Sequence, residues 1–312
     1  MNSLIVCFNA LAPVFIIIAA GYLTKRSGIL REDEVGRINA LCFRIFQPML
    51  CFQNLYTSDL ASAFRPRLIA FCVSALLVMF ALSTLFGSRF VPDRRRRGVV
   101  IQGLYRTNYL ILGVPLAANL VPDGDIGVVS VVAAITLSMV NALAVVTLES
   151  CRGERADARK VIGGILTNPI IIGSALGILA LVTHLKLPAA AETAVRDMAR
   201  ICSPMMIFLL GAFFRFDGMR TQGRELAWVC LGRLVVFPAL AVAAAALLGF
   251  RDIEFVAAML LFATPTAVAS FTTAQQLGGD ASLAGNIVLV TSIGCSVTLF
   301  GWSVLFKALG FF

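Results

Sequence analysis

Apolar segments of about 20 residues recur along the whole chain, and short hydrophilic connectors separate them. A helix of that length rises about 30 Å, which matches the hydrocarbon thickness of a bilayer. The pattern therefore predicts an all-α integral membrane protein with ten transmembrane helices. The predicted spans are 4–23, 38–57, 68–88, 98–120, 126–148, 161–183, 193–214, 225–249, 254–276 and 283–307.

The composition supports this class. Of the residues, 59% are hydrophobic and 14% are charged, whereas a soluble domain carries about 25% charged residues. The lipid bilayer is therefore the expected surrounding of the chain. No basic stretch is interleaved with aromatic residues, so nucleic acid is not an expected partner. The apolar segment at the start follows no positively charged side chain and precedes no small-residue cleavage site, so we interpret it as the first span.

Lysine and arginine are distributed unequally between alternate connectors. One set holds 16 of them: Lys25, Arg26, Arg31, Arg37, Arg89, Arg94, Arg95, Arg96, Arg97, Arg152, Arg155, Arg159, Lys160, Arg215, Arg220 and Arg224. The other set holds six: Arg65, Arg67, Lys186, Arg196, Arg251 and Lys307. Cytoplasmic loops carry the excess of positive residues, so the first set is predicted to face the cytoplasm. Both termini would then lie outside the cytoplasmic membrane.

The two halves of the chain share a pattern of prolines and glycines. In each half a proline is followed eight residues later by a glycine and 35 residues later by a Pro-Met pair. The matching residues are Pro13 with Pro169, Gly21 with Gly177 and Pro48 with Pro204. Residues 1–150 and 161–312 are therefore predicted to be two five-helix repeats. Because five is odd, the second repeat is inverted, a frequent arrangement in secondary transporters.

Each half also has a central proline in its fourth helix, Pro115 in the fourth span and Pro265 in the ninth. A proline cannot donate a backbone hydrogen bond, and its ring clashes with the carbonyl four residues earlier. Gly113 weakens the first of these helices further. We therefore predict that helices 4 and 9 are broken and face each other near the bilayer centre, with a half-helix that starts near Pro115 and favours an anion. The alternative is two ordinary kinks in packed helices.

Polar residues accompany both prolines and are the candidate substrate-binding residues: Arg106, Thr107, Asn108, Thr264, Thr266 and Gln275. Arg44, Arg106 and Arg233 lie six to eight residues inside their spans, where no Asp or Glu is found. An unpaired arginine beside a polar cavity suits a carboxylate. The alternative is snorkelling of the side chain to the cytoplasmic surface, which we favour for Arg44 and leave open for Arg106 and Arg233.

The sequence offers no catalytic or metal-binding constellation. Its eight cysteines form no CxxC pair, and His184 is the only histidine. We therefore expect no disulfide, no metal site, no cofactor and no catalytic residue, and we do not expect an enzyme. Without deep carboxylates a proton relay through Asp or Glu is not expected either, so Na⁺, H⁺ or no ion at all stay open as the coupling partner.

Several segments together resemble the auxin efflux carrier family of permeases, within the wider group that includes bile-acid/sodium symporters. They begin at Pro13, at Asn108 with Pro115 seven residues later, at Asn168-Pro169 and at Ala263-Thr264-Pro265. The resemblance covers essentially the whole chain. It implies a scaffold domain of helices 1, 2, 6 and 7, a mobile transport domain of helices 3–5 and 8–10, and a homodimer formed through the scaffold.

The resemblance also implies that helices 4 and 9 cross at Pro115 and Pro265 and that Asn108 binds a carboxylate there. The long central loop of plant members is absent, which favours the bacterial permeases of small carboxylates such as malate or malonate. We therefore expect a secondary transporter of a small organic anion that works by alternating access. The alternatives are a sodium-coupled symporter of larger amphipathic organic acids and a ligand sensor that does not transport.

Overall fold

The computed structural model describes residues 2–57, 63–152, 158–214 and 221–312, and for residues 2–11, 111, 158 and 160 it describes the backbone alone. The α-helices are α1 (Asn2–Arg26), α2 (Glu32–Leu41), α3 (Gln47–Tyr56), α4 (Pro66–Phe90), α5 (Arg94–Tyr105), α6 (Val114–Leu120), α7 (Ile126–Cys151), α8 (Ala158–Leu166), α9 (Pro169–Val182), α10 (Ala189–Phe213), α11 (Gly223–Leu231), α12 (Phe237–Leu247), α13 (Asp252–Ala263), α14 (Ala269–Gln276) and α15 (Ala281–Ala308). Three π-helical turns complete them: Cys42–Phe46 joins α2 to α3, Tyr109–Gly113 leads into α6, and Gly232–Val236 joins α11 to α12.

The all-α class predicted from the sequence is confirmed. The described residues form helices and connectors but no β-strand, and a single isolated β-bridge is the only strand-like pairing among them. Within the described ranges, four helices are long and apolar enough to cross a membrane: α4, α7, the continuous helix Gly223–Leu247 and α15. The total of ten spans stays a prediction, and three arginines that entered the count of positive residues, Arg155, Arg215 and Arg220, lie outside the described residues.

Large apolar side chains cover much of the outer surface. Leu247 is 90% exposed, Val297 73% and Val182 70%. A monomeric soluble protein rarely exposes broad apolar patches. Such a surface is stable against the acyl chains of a bilayer, and it fits an integral membrane protein.

The most extensive helix contacts in the described structure are those of α1 with α10 and of α3 with α9. Glycines allow these helices to approach closely. A Cβ atom added at Gly21 would lie 2.0 Å from the carbonyl oxygen of Phe208, and one at Gly211 would lie 2.0 Å from the carbonyl oxygen of Ile18. Small residues let helix backbones touch, and dispersion then stabilises the pair in a medium that is itself apolar. Gly177 plays the same part in α9, where a Cβ would lie 2.9 Å from that of Leu55.

Polar side chains fix the start of several helices. The carboxylates of Asp93, Asp125 and Asp280 and the amide oxygen of Asn168 each accept a hydrogen bond from a backbone N–H in the first turn that follows. Such caps satisfy donors that have no partner within the helix. The cap at Asp93 sets the beginning of α5, which then ends at the interruption described below.

Replacing Gly211 by alanine is expected to lower the free energy of unfolding by about 1–3 kcal/mol, because the new methyl group has no space against the backbone of α1. Gly301→Ala in α15 is the matched control, since a Cβ there meets nothing within 4 Å. Denaturant unfolding of the two purified variants measures the difference. Equal stability of both variants would contradict the close approach of α1 and α10.

Candidate functional site

Two helices of the structure are interrupted in the middle of predicted spans. The helix α5 ends at Tyr105, the backbone is extended at Arg106, and helical geometry resumes with the π-turn that begins at Tyr109. The helix α13 ends at Ala263, and α14 begins at Ala269. Each interruption frees backbone groups that a continuous helix would have paired.

The two interruptions pair with each other. Thr107 and Thr266 form an antiparallel β-bridge. The backbone N–H of Asn108 donates to the Pro265 carbonyl at 2.9 Å. On the other side of the bridge, the N–H of Ala267 donates to the Arg106 carbonyl at 3.2 Å. The predicted meeting of two broken helices is thus present, and the contact is made by their backbones.

The second break lies at Pro265 as predicted, but the position predicted for the first break is wrong. Pro115 lies in the first turn of α6, which follows the π-turn Tyr109–Gly113, and the chain leaves the helix earlier, at residues 106–108. A π-turn widens the helix by one residue, so the proline ring avoids the carbonyl with which it would clash. Pro48 and Pro238 follow the other two π-turns in the same way.

Gly113 does not break its helix either. It is the last residue of the π-turn, and a Cβ there would lie 2.4 Å from the aromatic ring of Tyr109. The glycine therefore makes room for that ring. The first break consists of the polar residues 106–108 and contains no proline, whereas the second break contains Pro265.

Three threonine hydroxyls are bonded at the breaks, and two of them satisfy carbonyl groups that the breaks set free. The hydroxyl of Thr107 donates to the Leu261 carbonyl in the last turn of α13 at 2.8 Å, and the hydroxyl of Thr266 donates to the Gly103 carbonyl in the last turn of α5 at 2.7 Å. The hydroxyls of Thr107 and Thr264 lie 2.7 Å apart. Each break thus supplies a donor to the half-helix of the other, and these three predicted site residues are bonded within the protein.

Arg233 binds the carbonyl ends of both half-helices. Its side chain is fully buried and extends from the π-turn between α11 and α12. Its Nε donates to the Thr264 carbonyl at 2.9 Å, Nη1 to the Tyr105 carbonyl at 3.4 Å and Nη2 to the Leu261 carbonyl at 3.4 Å. The carboxyl ends of helices carry partial negative charge, so the guanidinium neutralises two of them. The side chain of Arg233 therefore does not snorkel to the cytoplasmic surface.

Arg106 is also buried, at 1% exposure, but its partners differ. Nη1 lies within hydrogen-bonding distance of three acceptors, the Gln102 side chain at 3.2 Å, the Ala269 carbonyl at 3.3 Å and the Thr273 hydroxyl at 3.1 Å. Nη2 donates to the Asn141 side chain at 2.9 Å. Within the described part of the chain, no ion pair includes Arg106 or Arg233. Arg44, for which we favoured snorkelling, is exposed.

Some buried polar atoms near the crossing have no hydrogen-bond partner among the described residues. They include Nδ2 of Asn108, Oγ of Ser270 and Oγ1 of Thr272, in side chains that are 5%, 2% and 0% exposed. A buried polar group without a partner costs about 1–3 kcal/mol. Such atoms are candidates for contacts with a polar ligand, and Asn108 lies directly at the break.

Gln275 lies in the last turn of α14, and its hydrogen bond in the described structure is to a residue outside the crossing. Its side-chain oxygen accepts a hydrogen bond from Nδ2 of Asn39 in α2. It also lines a polar cavity of about 480 Å³ together with Arg95 and Asp280. An apolar cavity of about 280 Å³ lies elsewhere, between α4 and α12, and Ser74 is the only polar side chain of its lining. The crossing, with its buried cation and unpaired amide, remains the better candidate for an anion site.

The sequence profile of the membrane transport protein family matches residues 6–303. The chain belongs to this family. An uncharacterized transporter of Methanothermobacter thermautotrophicus is 24% identical over 307 residues, which cover 94% of this chain and 96% of that protein. A protein of Rhizobium meliloti that is provisionally named a malonate transporter is also 24% identical over 307 residues, which cover 95% of this chain and 94% of that protein. The resemblance to the auxin efflux carriers is thereby confirmed.

In this membrane transport protein, sequence reasoning identified residues at the crossing but missed their neighbours. Gln102, Asn141 and Asn39 are buried amides within apolar spans. The argument that singled out Asn108, that a polar side chain deep in a span needs a partner, applies to Asn141, whereas Asn39 and Gln102 lie among the first five residues of their predicted spans. No group of three or more His, Cys, Asp or Glu among the described residues is placed to hold a metal ion.

Replacing Arg233 by alanine is expected to destabilise this membrane transport protein by about 3 kcal/mol, because three buried carbonyl groups lose a charged donor. Arg44→Ala is the matched control, since Arg44 also lies in a π-turn that a proline follows but is exposed. Unfolding of both variants in the same detergent measures the effect. If Arg233→Ala were as stable as Arg44→Ala, the guanidinium would not hold the half-helix ends together.

Proposed function

We propose that the protein is a secondary transporter that moves a small organic anion, a carboxylate or dicarboxylate such as malate or malonate, across the cytoplasmic membrane by alternating access. The observation that carries this proposal is the charge of Arg106. Its guanidinium is buried at the crossing and, among the described residues, is bonded only to neutral groups. A buried ion without a counter-ion is costly, and a substrate carboxylate would supply the missing charge.

Asn108 is the second proposed contact. Its side-chain Nδ2 is a buried donor without a partner in the described structure, and a carboxylate oxygen is a suitable acceptor. The helical segments that begin at Tyr109 and Ala269 both start at the crossing, although the N–H groups of Leu112, Ser270 and Phe271 in their first turns already donate to nearby backbone carbonyls. In this proposal Thr107, Thr264 and Thr266 hold the crossing together rather than bind substrate.

The proposed architecture has ten spans in two inverted repeats, residues 1–150 and 161–312. Equal helix lengths support it. The helix α4 and the continuous helix Gly223–Leu247 each have 25 residues, and α5 and α13, which end at the two breaks, each have 12. The proposed scaffold consists of α1, α2–α3, α8–α9 and α10, and it includes the two most extensive helix contacts. Both termini would be external, and a homodimer through the scaffold stays a prediction.

Alternating access requires movement between the scaffold and the remaining helices. Side-chain hydrogen bonds join the proposed domains. Nδ2 of Asn141 in α7 donates to Sγ of Cys51 in α3 at 3.2 Å, and Nδ2 of Asn39 in α2 donates to the side chain of Gln275 and, at 3.5 Å, to the Thr272 carbonyl in α14. Single hydrogen bonds of this kind contribute about 1 kcal/mol each. They can break and form again during a transport cycle. The name of the Rhizobium meliloti relative favours malonate as the first substrate to test.

Asn108→Ala is expected to reduce the uptake of radiolabelled malonate into proteoliposomes at least tenfold, because the variant lacks the amide donor at the break. Asn119→Ala is the control, since Asn119 is exposed in α6 and its side chain donates to the Pro115 carbonyl one turn earlier. Initial rates at several malonate concentrations give the comparison. Unchanged uptake by Asn108→Ala would remove that residue from the site, and absence of protein-dependent uptake of malonate, malate and succinate would reject the proposed function.

Uptake is also expected to be independent of sodium. Carbonyl groups at the carboxyl ends of broken helices are the groups that coordinate Na⁺ in secondary transporters. Here the guanidinium of Arg233 bonds to three of them, at Tyr105, Leu261 and Thr264, and its positive charge repels a second cation. Initial malonate uptake should therefore be equal in NaCl and in choline chloride. A strict requirement for Na⁺ would instead favour the sodium-coupled symporter of larger organic acids.

A further inference from the structure

The hydrogen bonds of Arg106 occupy only part of its guanidinium group. An arginine side chain has five N–H donors. The described structure places three acceptors around Nη1 and one, the Asn141 side-chain oxygen, at Nη2. None of these bonds involves Nε, and Nη2, which has two N–H groups, has the Asn141 oxygen as its one acceptor among the described residues. Together Nε and Nη2 form one edge of the planar guanidinium, and such an edge can bind both oxygens of a carboxylate.

We propose that this edge of Arg106 binds a substrate carboxylate in bidentate fashion, and that Asn141 is the positioning residue that aims it. The inference rests on the proposed function and specifies how the substrate is held. Asn141 lies in the middle of α7, is 4% exposed and was not predicted from the sequence. It acts through Arg106 and does not itself contact the substrate in this proposal.

The orientation of the Asn141 amide follows from its two partners. Arginine has donors and no acceptor, so the amide must turn its oxygen toward Nη2 of Arg106, which lies 2.9 Å away. Its Nδ2 then points to Sγ of Cys51 in α3, at 3.2 Å. Because the amide is fixed at both ends, the position of Nη2 is fixed, and the free edge of the guanidinium is directed with it.

On the opposite side of the guanidinium, Nη1 is also bonded to uncharged side chains. Gln102 in α5 presents its side-chain oxygen to Nη1, and its own Nε2 donates to the Ser270 carbonyl at 3.1 Å. Thr273 in α14 presents a hydroxyl. Amide and hydroxyl oxygens orient the cation without cancelling its charge. A carboxylate at either amide position would form a permanent ion pair and compete with the substrate.

The test therefore introduces such a carboxylate. In Asn141→Asp and Gln102→Glu the shape of the side chain is kept and one atom becomes an ionised oxygen. We expect malonate to bind to either purified, full-length variant at least tenfold more weakly than to the wild type. Isothermal titration in detergent measures the affinity, and malonamide, the neutral analogue, is the ligand control. Asn119→Asp makes the same chemical change at an exposed site of α6 and should bind malonate like the wild type.

A second series separates positioning from simple structural support. For malonate affinity we expect the order wild type, then Asn141→Ala, then Asn141→Asp. For thermal stability we expect Asn141→Asp to exceed Asn141→Ala, because the new carboxylate pairs with Arg106. If Asn141 only supported the structure, malonate affinity and thermal stability would rank Asn141→Ala and Asn141→Asp in the same order. Arg106→Lys keeps the charge but loses the two-donor edge, so it should also bind malonate at least tenfold more weakly.

The outcomes are distinguishable. If wild-type protein binds no carboxylate, the proposed function fails. If the wild type binds malonate and folded Asn141→Asp and Gln102→Glu bind it equally well, the inference about Arg106 is wrong while the proposed function stands. Should Asn141→Asp fail to fold, Gln102→Glu and Arg106→Lys decide the question by the same criterion.

Discussion

The backbone pairing of the two interrupted helices is the constraint on which the rest of the structure depends. In the interior of a membrane an unpaired N–H or carbonyl group costs several kcal/mol, so an interruption in a single helix would be unstable there. The bond from Asn108 to Pro265 and the bridge between Thr107 and Thr266 give each break its partner. Neither helix could be straightened without leaving unpaired groups in the other, and the two breaks therefore form one structural unit.

That unit contains two buried arginines, and their different acceptors give them different tasks. Arg233 bonds to three backbone carbonyls at the carboxyl ends of α5 and α13, and the partial negative charge of those ends compensates for its own. Arg106 bonds to two side-chain amides, a hydroxyl and one carbonyl. Its charge is oriented but much less compensated. The first arginine stabilises the crossing, and the second provides the attraction for an anion in the proposed function.

The sequence predicted the helices well because the thickness of a bilayer fixes the length of an apolar segment. It also located the second break, since Pro265 lies within it. The first break was misplaced because a π-turn accommodates Pro115, and no rule of local sequence distinguishes a proline that breaks a helix from one that follows such a turn. The role of Arg233 was out of reach for another reason. Its acceptors at Tyr105 and Thr264 belong to two other helices and are brought together only by the crossing.

The neutral surroundings of Arg106 fit the demands of a transport cycle. A carrier must be stable both when it is loaded and when it is empty. With an aspartate or glutamate beside it, Arg106 would be stable in the empty protein but would have little affinity left for a substrate anion. Without polar neighbours, the buried cation would destabilise the empty protein. The oxygens of Gln102, Asn141 and Thr273 lie between these extremes, because they stabilise the cation through hydrogen bonds and, in the proposed function, leave its charge for the substrate. Binding of intermediate strength is what permits release on the far side of the membrane.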